Sequence, residues 1–176
     1  MKNLISLIFI LVIFGSCKKN GQEVQDTIPD PAEGGYEVIF YNQDNKVVFR
    51  GKGTAFYIVN DNRTQFRLDD PDPMQTPGTS TDKVASISFT LNFKLSSPAT
   101  LNTLSFSGHV TQGWYISDWD YNTQTGSLKI TEVVGDKFRG EFTFNLSSVN
   151  NSPNPNWGDR ITIKGKFYAR CGGYGC

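Results

Sequence analysis

Several residue types that support common protein functions are scarce in this chain of 176 residues. There is one histidine, His109, and no run of five or six like charges. A Ser-His-Asp triad would have to use His109, and no Gly-x-Ser-x-Gly motif marks a nucleophile elbow. Basic and acidic residues balance at 17 each, which argues against a nucleic-acid partner. These absences predict a protein that is not an enzyme, uses no cofactor or metal, and does not bind nucleic acid.

Long apolar runs are also scarce, and the one that exists lies at the N-terminus. Residues 4–14 are apolar except for one serine and follow Lys2. A run of 11 residues suits a signal peptide, whereas a membrane-spanning helix needs about 20. The next residues complete a Phe-Gly-Ser-Cys sequence that resembles a lipobox and ends at Cys17. Residues 1–16 are therefore predicted to be a lipoprotein signal peptide, and Cys17 is predicted to carry the lipid that holds the chain to a membrane.

The residues after this cysteine, 18–35, have no apolar period and are rich in proline, glycine and charge. Together with Cys17 they are predicted to form a flexible tether of up to about 60 Å, after which a single folded domain covers 36–176. Asp-Thr-Ile within the tether resembles the O-glycosylation motif of Bacteroidota, with Thr27 as the candidate acceptor. An ordinary linker triplet is the alternative interpretation.

Alternating apolar and polar residues predict an all-β domain. Apolar residues occupy every second position from 87 to 95, and similar runs recur up to residue 167. Gly135 and Asp136 lie between two such runs and predict a tight hairpin turn. Gly140 and Gly165 fall on inward faces and are interpreted as packing devices. About 8 to 10 antiparallel strands predict a β-sandwich, with a closed calycin-like barrel as the alternative.

The remaining two cysteines bracket four residues at the C-terminus. Cys171 and Cys176 are predicted to form a disulfide in an oxidising envelope compartment. The alternative is half of a zinc site, which would need two more ligands.

The C-terminal strands also suggest a family. The stretches GSLKITEVVGDKFRGEFTFNL and RITIKGKFYA, with the leader, resemble small β-rich lipoproteins of Bacteroidota that are classed as a domain of unknown function. The resemblance implies a lipid-anchored protein of the bacterial cell envelope, at the outer membrane, on either its periplasmic or its surface face. It brings no catalytic residue, because the motif consists of strand-packing residues: Gly126, Ile130, Thr131, Gly140, Phe142, Phe144, Ile161, Ile163, Gly165 and Phe167.

An aromatic stretch at 113–121 is the candidate ligand-binding segment. If it is extended, rings alternate between its two sides, and one side could remain on the surface. The candidate binding residues are Trp114, Tyr115, Trp119 and Tyr121, with Trp157 from a later loop. The alternative is that these rings fill or cap the core.

Three functions are compatible with this sequence. The first is a non-catalytic binding or accessory module for a glycan or another envelope component, tethered to the membrane through its lipid. The second is a structural subunit that binds a protein partner in a cell-surface complex. The third is a lipocalin-like carrier of an apolar ligand, which requires a lined cavity rather than a filled core.

Overall fold

The computed structural model describes residues 26–60, 62–69, 85–102, 106–112, 119–149, 153, 155 and 157–173. At positions 85, 106, 107, 109, 111, 112, 119 and 120 it describes the backbone alone. The predicted signal peptide, Cys17 and the tether up to residue 25 lie outside these ranges. Within these ranges no helix is long and apolar enough to cross a membrane.

Nine strands make up the described fold. They are β1 (Gly35–Asn42), β2 (Val47–Asn60), β3 (Arg63–Asp69), β4 (Ala85–Leu91), β5 (Ala99–Asn102), β6 (Phe106–Gln112), β7 (Trp119–Val134), β8 (Lys137–Ser148) and β9 (Arg160–Cys171).

All nine strands belong to one sheet, which is antiparallel apart from a short parallel contact between β2 and β9, and its strand pairings form a closed ring. Each strand from β1 to β4 and from β6 to β9 pairs with its successor among these eight strands, so β4 pairs with β6, and β9 pairs with β1. One edge of β7 pairs with β8. The opposite edge pairs with both β5 and β6, which therefore lie end to end and take the place of one strand in the ring. The predicted all-β antiparallel fold is confirmed. Of the two predicted architectures, the barrel describes this curled sheet, because the described strands form no second sheet.

The barrel has two ends that later arguments require. Its upper end carries the β1–β2 turn and the chain between β8 and β9. Its lower end carries the β2–β3 and β7–β8 turns. β1 runs from the lower end to the upper end, and each neighbouring strand of the ring runs the opposite way.

Aromatic rings fill the interior of the barrel. Eight ring strands leave an interior about wide enough for side chains. Phe66 stacks on Phe89 with ring centroids 4.9 Å apart, and Phe142 stacks on Phe144 at 4.6 Å. All four rings are buried. Burial of this apolar surface is the main force that holds the fold together.

Two glycines on inward faces make room for these rings. In the β8–β9 register, Gly140 lies opposite Phe167, and Phe142 lies opposite Gly165. A Cβ atom at Gly165 would lie 2.5 Å from Cζ of Phe142, and one at Gly140 would lie 2.7 Å from Cζ of Phe167. Each ring therefore covers the glycine across from it, which confirms the interpretation of both glycines as packing devices.

The predicted turn at Gly135 and Asp136 is confirmed. Val134 pairs with Lys137 across a two-residue connection, and Gly135 has a φ of 59°. Glycine is favoured there because it has no Cβ to clash at positive φ.

The alternation predicted for residues 87–95 fails at Phe93, which is 37% exposed, while Leu95 is buried. The strand ends at Leu91, so the period of two no longer governs the residues beyond it. Thr64, a buried residue of β3, holds this departing segment: its hydroxyl accepts from the Leu95 N–H at 2.9 Å and donates to the Phe93 carbonyl at 3.3 Å.

Residues 26–34, here called the strap, lie against the outer face of the barrel instead of forming part of a free tether. Asp26 forms an ion pair with Arg50 of β2. Asp30 pairs with Lys166 of β9 at 2.6 Å, and Glu33 pairs with Lys137 of β8 at 3.0 Å. The prediction of a tether up to residue 35 overlooked these pairs, because the bases that attract the strap lie far away in sequence.

The strap enters the ring between β9 and β2. The Gly34 N–H donates to the Tyr168 carbonyl at 2.7 Å, and the Gly34 carbonyl accepts from the Ala55 N–H at 2.7 Å. Beyond this entry point β2 and β9 pair directly and in parallel, up to Cys171. Cys176 lies outside the described residues, so its disulfide with Cys171 stays a prediction.

We expect Gly165→Ala to lower the free energy of unfolding by about 1–3 kcal/mol, because the added methyl group overlaps the Phe142 ring. Phe142→Leu removes that ring, so the same glycine change should cost less in its presence. Urea unfolding of both single variants and the double variant measures the coupling. Strictly additive losses would contradict the close contact.

Candidate functional site

Two of the predicted binding rings lie in the core. Trp157 is 1% exposed and Tyr121 is 0% exposed. The Trp157 ring contacts Phe40 at 5.0 Å and Phe49 at 5.8 Å between centroids, and Tyr121 also at 5.8 Å. The prediction that these two rings form part of an exposed row is therefore wrong, and the alternative of a capped core describes them.

A hydrogen bond explains why these rings turn inward. The Tyr121 hydroxyl donates to the Gly158 carbonyl at 2.8 Å, which ties the chain before β9 to β7. That contact folds residues 157–159 over the upper end of the barrel and places the Trp157 ring on Phe40. The open end of a filled barrel exposes apolar rings, and a tryptophan covers more of that area than any other side chain.

The other predicted sites are only partly described. Trp114, Tyr115, Cys17 and Cys176 lie outside the described residues. Trp119 begins β7 opposite Gln112, and its backbone alone is described. Thr27 is exposed on the strap, so a modifying enzyme could reach it.

A groove on the outer face of β7, β8 and β9, near the upper end, is the candidate site and is here called the polar groove. Its volume is about 480 Å³, within the range of small-ligand sites. Amide and hydroxyl side chains dominate its lining, which comprises Gln43, Gln124, Thr125, Asn145, Leu146, Ser147, Arg160, Ile161 and Thr162.

Strand register creates the centre of the polar groove. Thr125 of β7, Asn145 of β8 and Thr162 of β9 lie side by side. The Asn145 amide donates to the Thr125 hydroxyl at 2.9 Å and accepts from the Thr162 hydroxyl at 2.9 Å. This ladder across three strands holds the polar atoms in place before any ligand arrives, which reduces the entropy lost on binding.

The Asn145 amide can also serve a ligand. A side-chain amide has two N–H donors and two acceptor lone pairs. The ladder uses one donor and one lone pair, and Asn145 is exposed. The centre of the groove therefore offers a fixed donor and a fixed acceptor to polar groups of a ligand.

Charge in the polar groove comes from Arg160, and its described lining contains no carboxylate, imidazole or thiol. Such a lining supplies hydrogen bonds but no group that exchanges a proton near neutral pH. Across the described residues, no three His, Cys, Asp or Glu side chains gather as metal ligands would.

Tyr41 borders the groove, because it lies opposite Thr162 in the β1–β9 register. Burial raises the pKa of the Tyr41 phenol, and the nearby Asp26 carboxylate raises it further. The phenol therefore stays neutral across the physiological range.

The chain offers a second polar hollow at the lower end, of about 490 Å³. It is lined by Asn60, Asn62, Arg63, Gln65 and Asn92. We favour the upper groove because the hydrogen-bonded ladder holds its central side chains in position.

Strand alternation turns Asn145, Arg160 and Thr162 outward, opposite the buried Phe144, Leu146, Ile161 and Ile163. Their meeting in one groove was missed, since it depends on which strands pair and in which register. Amide and hydroxyl residues at outward positions of consecutive strands were the available signal.

Comparison of the chain with protein-family models, curated proteins and solved structures finds no match. The resemblance to Bacteroidota lipoproteins therefore stays an expectation. In the fold most of its motif residues pack in the core, as Phe142 and Phe144 do, whereas Thr131 is exposed.

Trp157→Ala should destabilise the protein by about 3–5 kcal/mol, as expected for truncation of a buried tryptophan. Tyr121→Phe should cost about 0.5–1.5 kcal/mol through its lost hydrogen bond. Phe93→Ala is the matched control, because that ring is partly exposed and surface changes cost little. Denaturant unfolding provides the measurement. An equal, small effect at Trp157 and Phe93 would show that Trp157 is not a core residue.

Proposed function

We propose that this protein is a lipid-anchored, non-catalytic binding module of the bacterial envelope, and that it binds a glycan in the polar groove. The observation that carries this proposal is the hydrogen-bonded ladder of Thr125, Asn145 and Thr162 on an exposed face. Amides and hydroxyls pair well with sugar hydroxyls, since both partners donate and accept hydrogen bonds.

The charge of the groove narrows the ligand class. Arg160 supplies one positive charge, and the described lining holds no carboxylate to repel an anion. A neutral oligosaccharide, or one with a single acidic group, fits this balance. A highly charged polymer would meet too few bases to be bound strongly.

The filled interior supports a surface site over a carrier function. A carrier needs a lined cavity inside its barrel, whereas stacked rings such as Phe66 and Phe89 occupy this one. A protein-binding subunit would be expected to present a contiguous apolar patch. The described large apolar residues with the greatest exposure are dispersed, with Val47 at the upper end and Val134 at the lower end.

The apolar leader and its Phe-Gly-Ser-Cys ending support attachment through Cys17. We place the protein at the outer membrane, on either face, with a glycan or a protein of the envelope as partner and no nucleic acid. A disulfide between Cys171 and Cys176 would close the end of the chain after β9, and Thr27 would carry any sugar on the strap.

Intact-mass measurement of the protein from its native host tests the anchor. We expect loss of residues 1–16 and a mass gain from acyl chains, both abolished by Cys17→Ser. A mass that retains residues 1–16 without acyl chains would exclude lipid anchoring.

A further hexose-sized gain that Thr27→Ala removes would confirm O-glycosylation.

Titration calorimetry against a panel of envelope oligosaccharides tests the polar groove. We expect Asn145→Ala to weaken binding about tenfold, equivalent to the loss of about one good hydrogen bond. The thermal midpoint of each variant should be recorded, because the same change also breaks the ladder.

Asn60→Ala is the matched control, since it removes an exposed amide from the lower hollow. It should leave the affinity unchanged. Loss of binding in Asn60→Ala but not in Asn145→Ala would move the site to the lower end. No heat with any glycan would reject the proposed ligand class.

A further inference from the structure

The strap determines at which end of the barrel the preceding chain is attached. Its first residue, Asp26, lies near the upper end, where it accepts a hydrogen bond from the Tyr41 hydroxyl at 3.4 Å. The strap then runs to the lower end, where Glu33 meets Lys137, the first residue of β8. β1 begins at Gly35 and returns to the upper end.

The strap and the sheet are matched in charge. The strap contains three acidic residues and no basic one, and each acid pairs with a base on a different strand of the barrel. Such a one-to-one arrangement, spread over β2, β9 and β8, holds the strap in one direction across the sheet.

Burial on the outer face adds a second observation. Alternation along β1 turns Val38 and Phe40 inward, so Ile39 points outward, yet it is only 3% exposed. Its neighbours across the sheet are Arg50 and Lys164. Arg50 binds strap residue Asp26, and Lys164 lines a crevice together with strap residue Ile28. An apolar residue is thus covered where the strap crosses β1.

The start of the strap also lies beside the polar groove. Tyr41, which contacts Asp26, is the register partner of Thr162 in the groove ladder. The point at which the chain first contacts the barrel, Asp26, therefore lies next to the candidate site.

We propose that the docked strap is a latch that orients the barrel and keeps the polar groove on the side nearest the membrane. This inference rests on the proposed lipid at Cys17 and on the proposed groove. With the strap docked, nine residue steps separate Cys17 from Asp26, a reach of at most about 30 Å. With the strap released, 18 steps lead to Gly35, so the reach grows to about 60 Å and neither end is held near the membrane.

The nature of the contacts makes the latch releasable by salt. The Asp30 and Glu33 side chains are 71% and 50% exposed, and that of Asp26 is 22% exposed. Exposed ion pairs are weak and screened by salt, so the pairs of Asp30 and Glu33 should open first. The apolar contacts inside the barrel are not screened in this way. High ionic strength should therefore free the strap while the barrel stays folded.

Near neutral pH the latch should remain closed. The hydrogen bond and charge of Lys166, with a smaller effect of Arg139, hold the pKa of Asp30 below its usual range. That contribution is lost only as pH falls through the lowered value. Glu33, with smaller effects of Tyr168 and Asp136, raises the pKa of Lys137, so that contribution is lost only as strongly alkaline pH is reached.

Energy transfer on the full lipidated chain in phosphatidylcholine–phosphatidylglycerol vesicles tests the latch. A donor fluorophore is introduced as a non-natural amino acid at Asp44 in the upper turn or at Asp136 in the lower turn, and the acceptor is a headgroup-labelled lipid. Because the latch holds the upper end near the bilayer, transfer should be at least twofold more efficient from position 44. The difference should vanish in 1 M salt and in the triple variant Asp26→Asn, Asp30→Asn, Glu33→Gln.

The matched control is Glu132→Gln with Glu141→Gln, which removes acids that pair within the barrel, with Arg139 and Lys129. It should keep the difference between the two donor positions. Equal transfer from both positions in vesicle-bound protein with an intact strap would overturn the latch, as would an unchanged difference in the triple variant. Failure of the protein to float with vesicles would instead reject the lipid anchor, and glycan titration reports separately on the groove.

Discussion

The register of β8 between β7 and β9 is the constraint on which the rest of this structure depends. On the inner face it places Phe142 over Gly165 and Phe167 over Gly140, so that rings fill the barrel without collision. On the outer face the same register aligns Thr125, Asn145 and Thr162. Because successive side chains alternate between faces, a slip of one residue would disrupt the core and the polar groove together. The positions of the groove side chains are therefore fixed by the same strand register that fixes the core.

Two kinds of force act on the two faces of this sheet. Inside, ring stacking and burial hold the barrel closed, and salt does not screen these apolar contacts. Outside, the strap rests on ion pairs that water and ions weaken, with the covered Ile39 and the backbone bonds of Gly34 as its fixed points. In the proposed latch, the ion-paired part of the strap detaches while Gly34 keeps its backbone bonds and the domain stays folded. The proposed binding surface and the proposed latch both depend on this division of forces.

Much of the fold could be predicted, but little of the site. Strand alternation identified the inward residues of β8 and β9 and both packing glycines, because a period of two needs no knowledge of partners. Register was harder to predict. If β7 and β8 paired without interruption from the Gly135 turn, Thr125 would lie opposite Leu146. A bulge at Thr131 shifts the register by one residue, so Thr125 lies opposite Asn145 instead. The sequence left Trp157 either as a binding residue or as a cap on the core. Local pattern could not decide between them, because one of the rings that buries it, Tyr121, lies 36 positions earlier.

By itself, the sequence determined the all-β class, the sharp β7–β8 turn and the faces that strands present, because these depend on steric and hydrophobic preferences within a few residues. It also carries the N-terminal pattern from which lipid attachment is proposed. The tertiary structure alone decided that one sheet curls into a barrel, that the aromatic candidates Tyr121 and Trp157 are core, and that the strap lies on the outer face. These features come from contacts between residues far apart in the chain, and their free energies depend on a geometry that no local pattern encodes.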